Sequence, residues 1–176
     1  SESQYWKNDL QKNVEFFHEK MYQTTWREAS FAALEKRVML SCYIVRKLAE
    51  ANKITKELFE CQVKLYSYKN KGKTVDLLNW HRVDDLYDVE TPQEITKPFS
   101  YVANQIIHSY TFLFVFKSKD NIEGILFNSD RSKKKELYML KISDLIDVLS
   151  PIAGCYIGRT IMQRNSDGEM IVVHNE

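Results

Sequence analysis

The apolar residues of this chain change their period once, near residue 54, and that change limits the available folds more than any motif does. Ahead of it, Trp6, Leu10, Val14, Phe17 and Met21 recur at spacings of four, four, three and four, which draws a single stripe along a helix. Thr24-Thr25 interrupts the stripe. Thr25-Trp26-Arg27-Glu28 then has the Thr-x-x-Glu form in which hydroxyl and carboxylate reciprocally satisfy free backbone donors. A second helix is predicted over residues 26–52, as the other arm of an αα-hairpin or as a kinked continuation. On it Glu28, Glu35, Lys36, Arg46, Lys47, Glu50 and Lys53 share one sector, and Leu34, Val38, Ile44, Val45 and Leu48 lie opposite. So narrow a polar sector predicts a largely buried helix at the centre of the molecule.

Beyond residue 54 the texture is that of strands. Residues 61–68 alternate apolar and polar, the pattern of a half-exposed strand, and Asn70–Lys73 reads as a turn with a return strand over 74–82. Thr91-Pro92-Gln93-Glu94 resembles a helix start, with a cap, a proline at the first position and a glutamate at the third. Pro98 comes too soon for one smooth helix, so a second start is expected there. Phe99, Val102, Ala103, Ile106 and Ile107 then give clean helical periodicity over 98–109. Residues 110–116 are densely β-favouring without alternation and predict a central strand covered on both faces. A turn at 119–121, a strand over 122–127, a basic loop over 128–135 and a strand over 136–142 follow. Ser143 is placed to cap a short helix closed by Pro151, and Asp167-Gly168 signals a hairpin between 156–164 and 170–173.

Helices first and strands later imply an α+β domain: an N-terminal helical hairpin and a further helix packed on a mostly antiparallel β-sheet. One domain is expected over residues 1–176, helical over 4–53 and β-rich over 61–174, with the helix of 98–109 inserted.

The function classes are narrowed mainly by what is missing. Only 5 glycines leave no Gly-rich phosphate loop, and no G-x-G-x-x-G, H-E-x-x-H, G-x-S-x-G or C-x-x-C is present. The balance of 25 basic and 24 acidic residues creates no global field, so a polyanion would have to find a local patch. Cys42, Cys61 and Cys155 are odd in number and widely spaced, which fits reduced core thiols in a cytoplasmic protein. No apolar run reaches membrane-span length and no secretory signal opens the chain, so a membrane is not expected as a partner.

Four groups of residues carry chemistry worth locating. His81, Asp84, Asp85 and Asp88 would share one face of a helix through i, i+3, i+4 and i+7 spacing, as weak candidate ligands for a divalent metal that activates water. A solvated acidic turn explains the same residues more simply. Tyr101, Asn104, Gln105 and His108 occupy the polar, uncharged face of the 98–109 helix; a phenol, two amides and an imidazole can read a ligand by directional hydrogen bonds. Arg37 lies off the charged sector of its helix, beside Ile44 and Leu48, and is expected to hold a carboxylate, with the 84–88 segment as a candidate donor, or to bind an anion. Lys69, Lys71 and Lys73 in one turn, and Arg131, Lys133, Lys134 and Lys135 in another, lie near Tyr66, Tyr68 and Tyr138 and are weak candidates for a nucleic-acid surface.

The reading these residues favour is an intracellular binding or interaction module, for a protein partner, a second copy or a small ligand, without catalysis or a cofactor. A metal-assisted hydrolase or nuclease built on His81, Asp84, Asp85 and Asp88, with His108 assisting, is the alternative. A nucleic-acid-binding accessory protein is the second alternative. Only the hydrolase needs a divalent metal.

Overall fold

The computed structural model describes residues 2–176. Two long helices, α1 (Glu2–Lys20) and α2 (Glu28–Glu50), form the N-terminal hairpin, and the short α3 (Lys56–Phe59) leads into β1 (Gln62–Lys69). The chain continues through α4 (Val83–Leu86), β2 (Gln93–Pro98), α5 (Phe99–Ile107), β3 (Ser109–Phe116), β4 (Ile122–Ser129), β5 (Glu136–Lys141) and α6 (Ile142–Ala153), and it ends in β6 (Thr160–Arg164) and β7 (Met170–Asn175). Five strands form one antiparallel sheet in the order β2-β1-β5-β4-β3, and β6 and β7 pair separately. The α+β class is the one the sequence implies.

Alternation along β1 and β5 sorts the sheet into two faces. Val63, Leu65, Ile125, Phe127, Tyr138 and Leu140 point to one side and join the main core. On that side α5 and α6 lie against β4, and the hairpin packs on them from outside, α1 on α6 and α2 on α5. The long α2 is therefore an outer element rather than the central one. Its buried stripe, from Leu34 to Leu48, meets α5 and α1, while Phe31 at its start reaches the sheet and stacks on Phe114 with ring centroids 6.0 Å apart. On the opposite face, residues 70–92 wrap back over the sheet around a small second core of Val75, Leu86, Tyr87 and Leu137.

Several local expectations yield to tertiary contacts. Arg27, in extended geometry and without a side-chain cap, precedes α2, so the Thr25 capping box does not form. The neighbouring Trp26 is held elsewhere, its Nε1 donating to the Asp120 carbonyl at 2.8 Å. No return strand follows β1 at 74–82. There Asp76 Oδ1 accepts from the Leu78 N–H and Asn79 Oδ1 accepts from the Asp76 N–H, so side chains take the backbone donors a strand would use. Thr91-Pro92 starts no helix: residues 93–98 become β2 and fill the open edge of β1, with Gln62 opposite Pro98 and Ser67 opposite Gln93. The dense run of β3 forms an edge strand rather than a central one, because β5, with Leu137 through Leu140 all buried, occupies the middle. Finally, α6 begins at Ile142 without a Ser143 cap and runs past Pro151 to Ala153.

Cys42 and Cys155 are buried, Cys61 is half-buried, and all three are free thiols. Among the described residues no helix is long and apolar enough to cross a membrane.

Candidate functional site

Pro98 ends β2 and turns the chain directly into α5, which plants Phe99, Val102, Ala103 and Ile106 in the core. The remaining face of so short a helix must point along the sheet toward the β4–β5 connection. Tyr101, Asn104, Gln105 and His108 do so, and together with Lys97, the 129–132 turn, Lys135, Glu136 and Tyr138 they line a cleft of about 700 Å³. The polar face of 98–109 and part of the second basic turn, separate in sequence, meet here as one site.

The floor of the cleft is fixed by hydrogen bonds. Gln105 is buried, and its Oε1 accepts from the Ser129 N–H at 3.1 Å and from Ser132 Oγ at 2.8 Å. Ser132 Oγ also accepts from the Ser129 N–H at 2.9 Å, so one amide and one hydroxyl pin the turn that carries Arg131. The Tyr101 and Tyr138 hydroxyls are 2.7 Å apart and their rings meet edge to face. Burial pushes the Tyr138 hydroxyl pKa well above the usual tyrosine value, and its bond to Tyr101 and the nearby Glu136 carboxylate push it further. Tyr138 therefore keeps its proton and serves as a hydrogen-bonding group, not as a base.

Charge in the cleft is mixed with a positive excess. Lys97 Nζ stands 5.1 Å over the Tyr101 ring, and Arg131 and Lys135 are exposed at the rim. Among the described residues none of these three cations forms an ion pair with a carboxylate. The acidic lining residues are Asp130 and Glu136, and Asp130 is engaged by Lys133 at 2.7 Å, which holds its carboxyl below the usual range. Lys133 itself points away from the cleft, with its Nζ 3.7 Å from the centre of the Tyr110 ring. Lys134 is exposed and lies outside the cleft lining.

Such an arrangement can grip an anion between a guanidinium and two ammonium groups while tyrosine hydroxyls and the Asn104 amide read its polar edges. The Ser132 hydroxyl donates to the Gln105 amide oxygen.

The other candidates fall elsewhere. Helix α4 covers only Val83–Leu86, so His81 and Asp88 are off its ends and the shared face that metal binding required does not exist. No group of three His, Cys, Asp or Glu side chains among the described residues could hold a metal ion. His81 packs edge-on to Trp80 at 5.7 Å, while Asp88 Oδ2 accepts from Thr91 Oγ1 at 2.6 Å. His81, Asp84 and Asp85 border a shallow hollow against β3, whereas His108 lines the α5 cleft, so the two histidines do not meet. Arg37 is half-buried, as its helical phase requires, but its partner is neutral: Nη1 donates to Asn13 Oδ1 at 2.8 Å and the guanidinium lies 4.8 Å over the Phe16 ring. Asn13, one helix away on α1, supplies the oxygen that a carboxylate was expected to supply.

The two basic turns do come together. Asn70 Nδ2 donates to the Lys73 carbonyl at 3.0 Å and to the Lys133 carbonyl at 3.2 Å, and the Asn70 N–H reaches the Lys135 carbonyl at 2.8 Å. Lys71 and Lys73 therefore lie beside the turn of residues 130–135. Of the cleft residues, Lys97, Ser129, Asp130, Ser132 and Glu136 carried no functional signal in the sequence; the Ser-x-x-Ser spacing of 129 and 132 was the nearest thing to one. No protein-family model, no curated protein and no solved structure matches the chain.

Proposed function

We propose that the chain is a binding module without catalysis whose ligand is a small organic anion, bearing phosphate or carboxylate, held in the α5 cleft. One observation carries the reading: Lys97, Arg131 and Lys135 face one cleft and, among the described residues, no carboxylate pairs with them, beside the hydroxyl pair of Tyr101 and Tyr138. Cations gathered beside directional donors favour an anion whose further polar edges those donors can read. A cytoplasmic setting belongs to this reading and accords with the free thiols. No resident cofactor is part of it.

A second reading has one observation in its favour. The joining of the two basic turns through Asn70 sets Lys71, Lys73 and Lys134 on one exposed surface next to the cleft, a footprint that a phosphodiester chain would suit.

One titration separates them. Thermal shift and calorimetry are run with pyrophosphate, a nucleoside monophosphate, a dicarboxylate and a short single-stranded oligonucleotide at ~50 mM salt. The small-ligand reading expects a rise in melting temperature with at least one small anion, abolished by Arg131→Ala/Lys135→Ala. Oligonucleotide binding alone, lost in Lys71→Ala/Lys73→Ala/Lys134→Ala, supports the second reading. No response to any small anion, or an undiminished response in the Arg131/Lys135 variant, refutes the first.

A further inference from the structure

The two edges of the five-stranded sheet are built on opposite principles. An edge strand offers a row of unpaired backbone donors and acceptors, and monomeric proteins blunt such edges with charge, proline or short length. β2 does so: within its six residues it carries Glu94, Lys97 and Pro98, and Glu94 pairs with Lys64 at 3.3 Å. β3 does the reverse over its regular stretch from Thr111 to Val115, with irregular pairing only at its two ends. Its eight residues, Ser109–Phe116, contain no charge and no proline, and Phe112, Leu113, Phe114, Val115 and Phe116 follow one another. Among the described residues no strand pairs with its outer edge, yet only Thr111 is fully buried and its other residues remain partly open to solvent.

We infer that β3 is the seam of a homodimer, in which a second copy of this chain adds its own β3 antiparallel across a two-fold axis. Two five-stranded sheets then become one continuous sheet of ten strands, and its free ends are the two protected β2 edges, so assembly stops at two. Self-pairing is favoured over a foreign strand because β3 is its own complement. With the axis at Leu113, Phe112 faces Phe114 and Thr111 faces Val115, which pairs aromatic with aromatic and small β-branched with small β-branched. The flanking cation also fits. Lys117, just past the strand, comes opposite Ser109, so no like charges meet across the paired strands. A parallel arrangement would instead set Lys117 on Lys117.

One strand pair with its flanking side chains is small for an interface, near the low end of the ~1,200–2,000 Å² typical of stable complexes, so a Kd of order micromolar is expected. Sedimentation across ~1–300 µM protein is expected to show wild type passing from chain mass to twice that mass. Leu113→Lys places two ammonium groups at the axis, with Cβ atoms about 5 Å apart, and is expected to stay monomeric throughout with an unchanged circular-dichroism spectrum. Leu113→Cys is expected to form a disulfide dimer in air that thiol reductant reverses, since Cβ atoms at that separation are near bonding geometry. The cysteine variant decides the matter even if the lysine variant fails to fold. Wild type that stays monomeric at ~300 µM overturns the proposal. So does a dimer that survives Leu113→Lys while Leu113→Cys gives no cross-link.

Discussion

Gly124 tests whether the β4–β5 ladder is as tightly fitted as it appears, because two opposing effects meet there with different magnitudes. Its neighbour Ile125 points into the helix-side core, so Gly124 faces the other side of the sheet, opposite Lys141. Its backbone is not left-handed, and an alanine could adopt it. Replacing glycine by alanine in such a conformation ordinarily stabilises by about 0.4–1 kcal/mol, through the lost freedom of the unfolded chain. Against that, a Cβ here would stand 2.7 Å from Met139 Sδ and closer still to the Leu140 carbonyl oxygen. Methionine can swing away at little cost. A carbonyl in a central ladder moves only if the strands part, which weakens one or two hydrogen bonds worth ~1 kcal/mol each on top of an overpacking cost of about 1–3 kcal/mol. Steric conflict wins. Gly124→Ala is expected to destabilise by ~2–3 kcal/mol, lowering the melting temperature by roughly 5–10 °C for a chain of this size. Urea unfolding would show the midpoint falling at unchanged slope. The same substitution in a Met139→Ala background separates the two contacts: if the carbonyl dominates, the penalty persists there at ~1 kcal/mol or more. A loss below about 0.5 kcal/mol in the wild-type background, or a gain, would refute the reasoning, the propensity benefit having prevailed.

Gln105→Ala removes the acceptor shared by the Ser129 N–H and Ser132 Oγ and is expected to cost ~1–2 kcal/mol, since Ser129 keeps its second bond to Ser132. Hydrogen exchange at residues 129–136 should quicken in that variant, and unchanged exchange would mean that Gln105 does not hold the turn. Cys42 supplies a pH dependence. Burial pushes its thiol up to about 12, from ~8.5 in the unfolded chain, so above that lower value the unfolded chain releases a proton that the fold retains. Its contribution is complete below pH ~8.5 and declines by ~1.4 kcal/mol per pH unit as pH rises toward the folded value. The stability gap between wild type and Cys42→Ala should narrow at that rate between pH 9 and 11, and parallel curves for the two proteins would show that Cys42 does not titrate in this way.

Sequence alone determined the features that depend on neighbours along the chain. The stripe from Leu10 to Phe17, the apolar set of α5, the alternation of β1 and the Asp167-Gly168 turn are all read from spacing or from a backbone requirement, Gly168 having φ +82°. So too was the type of residue on the outer face of α5, because helical phase decides which side chains escape the core. Tertiary structure decided what long-range competition settles. Residues 93–98 carry a helix-start signal, yet the open edge of β1 claims them as a strand. Arg37 announced its half-burial through its phase, but the oxygen it found belongs to Asn13 on another helix. Tyr101 and Arg131 each looked polar and available, thirty residues apart. They share a cleft because the β4–β5 connection folds down beside α5 and Gln105 fixes it there, and pairing between segments distant in sequence leaves no local period to read.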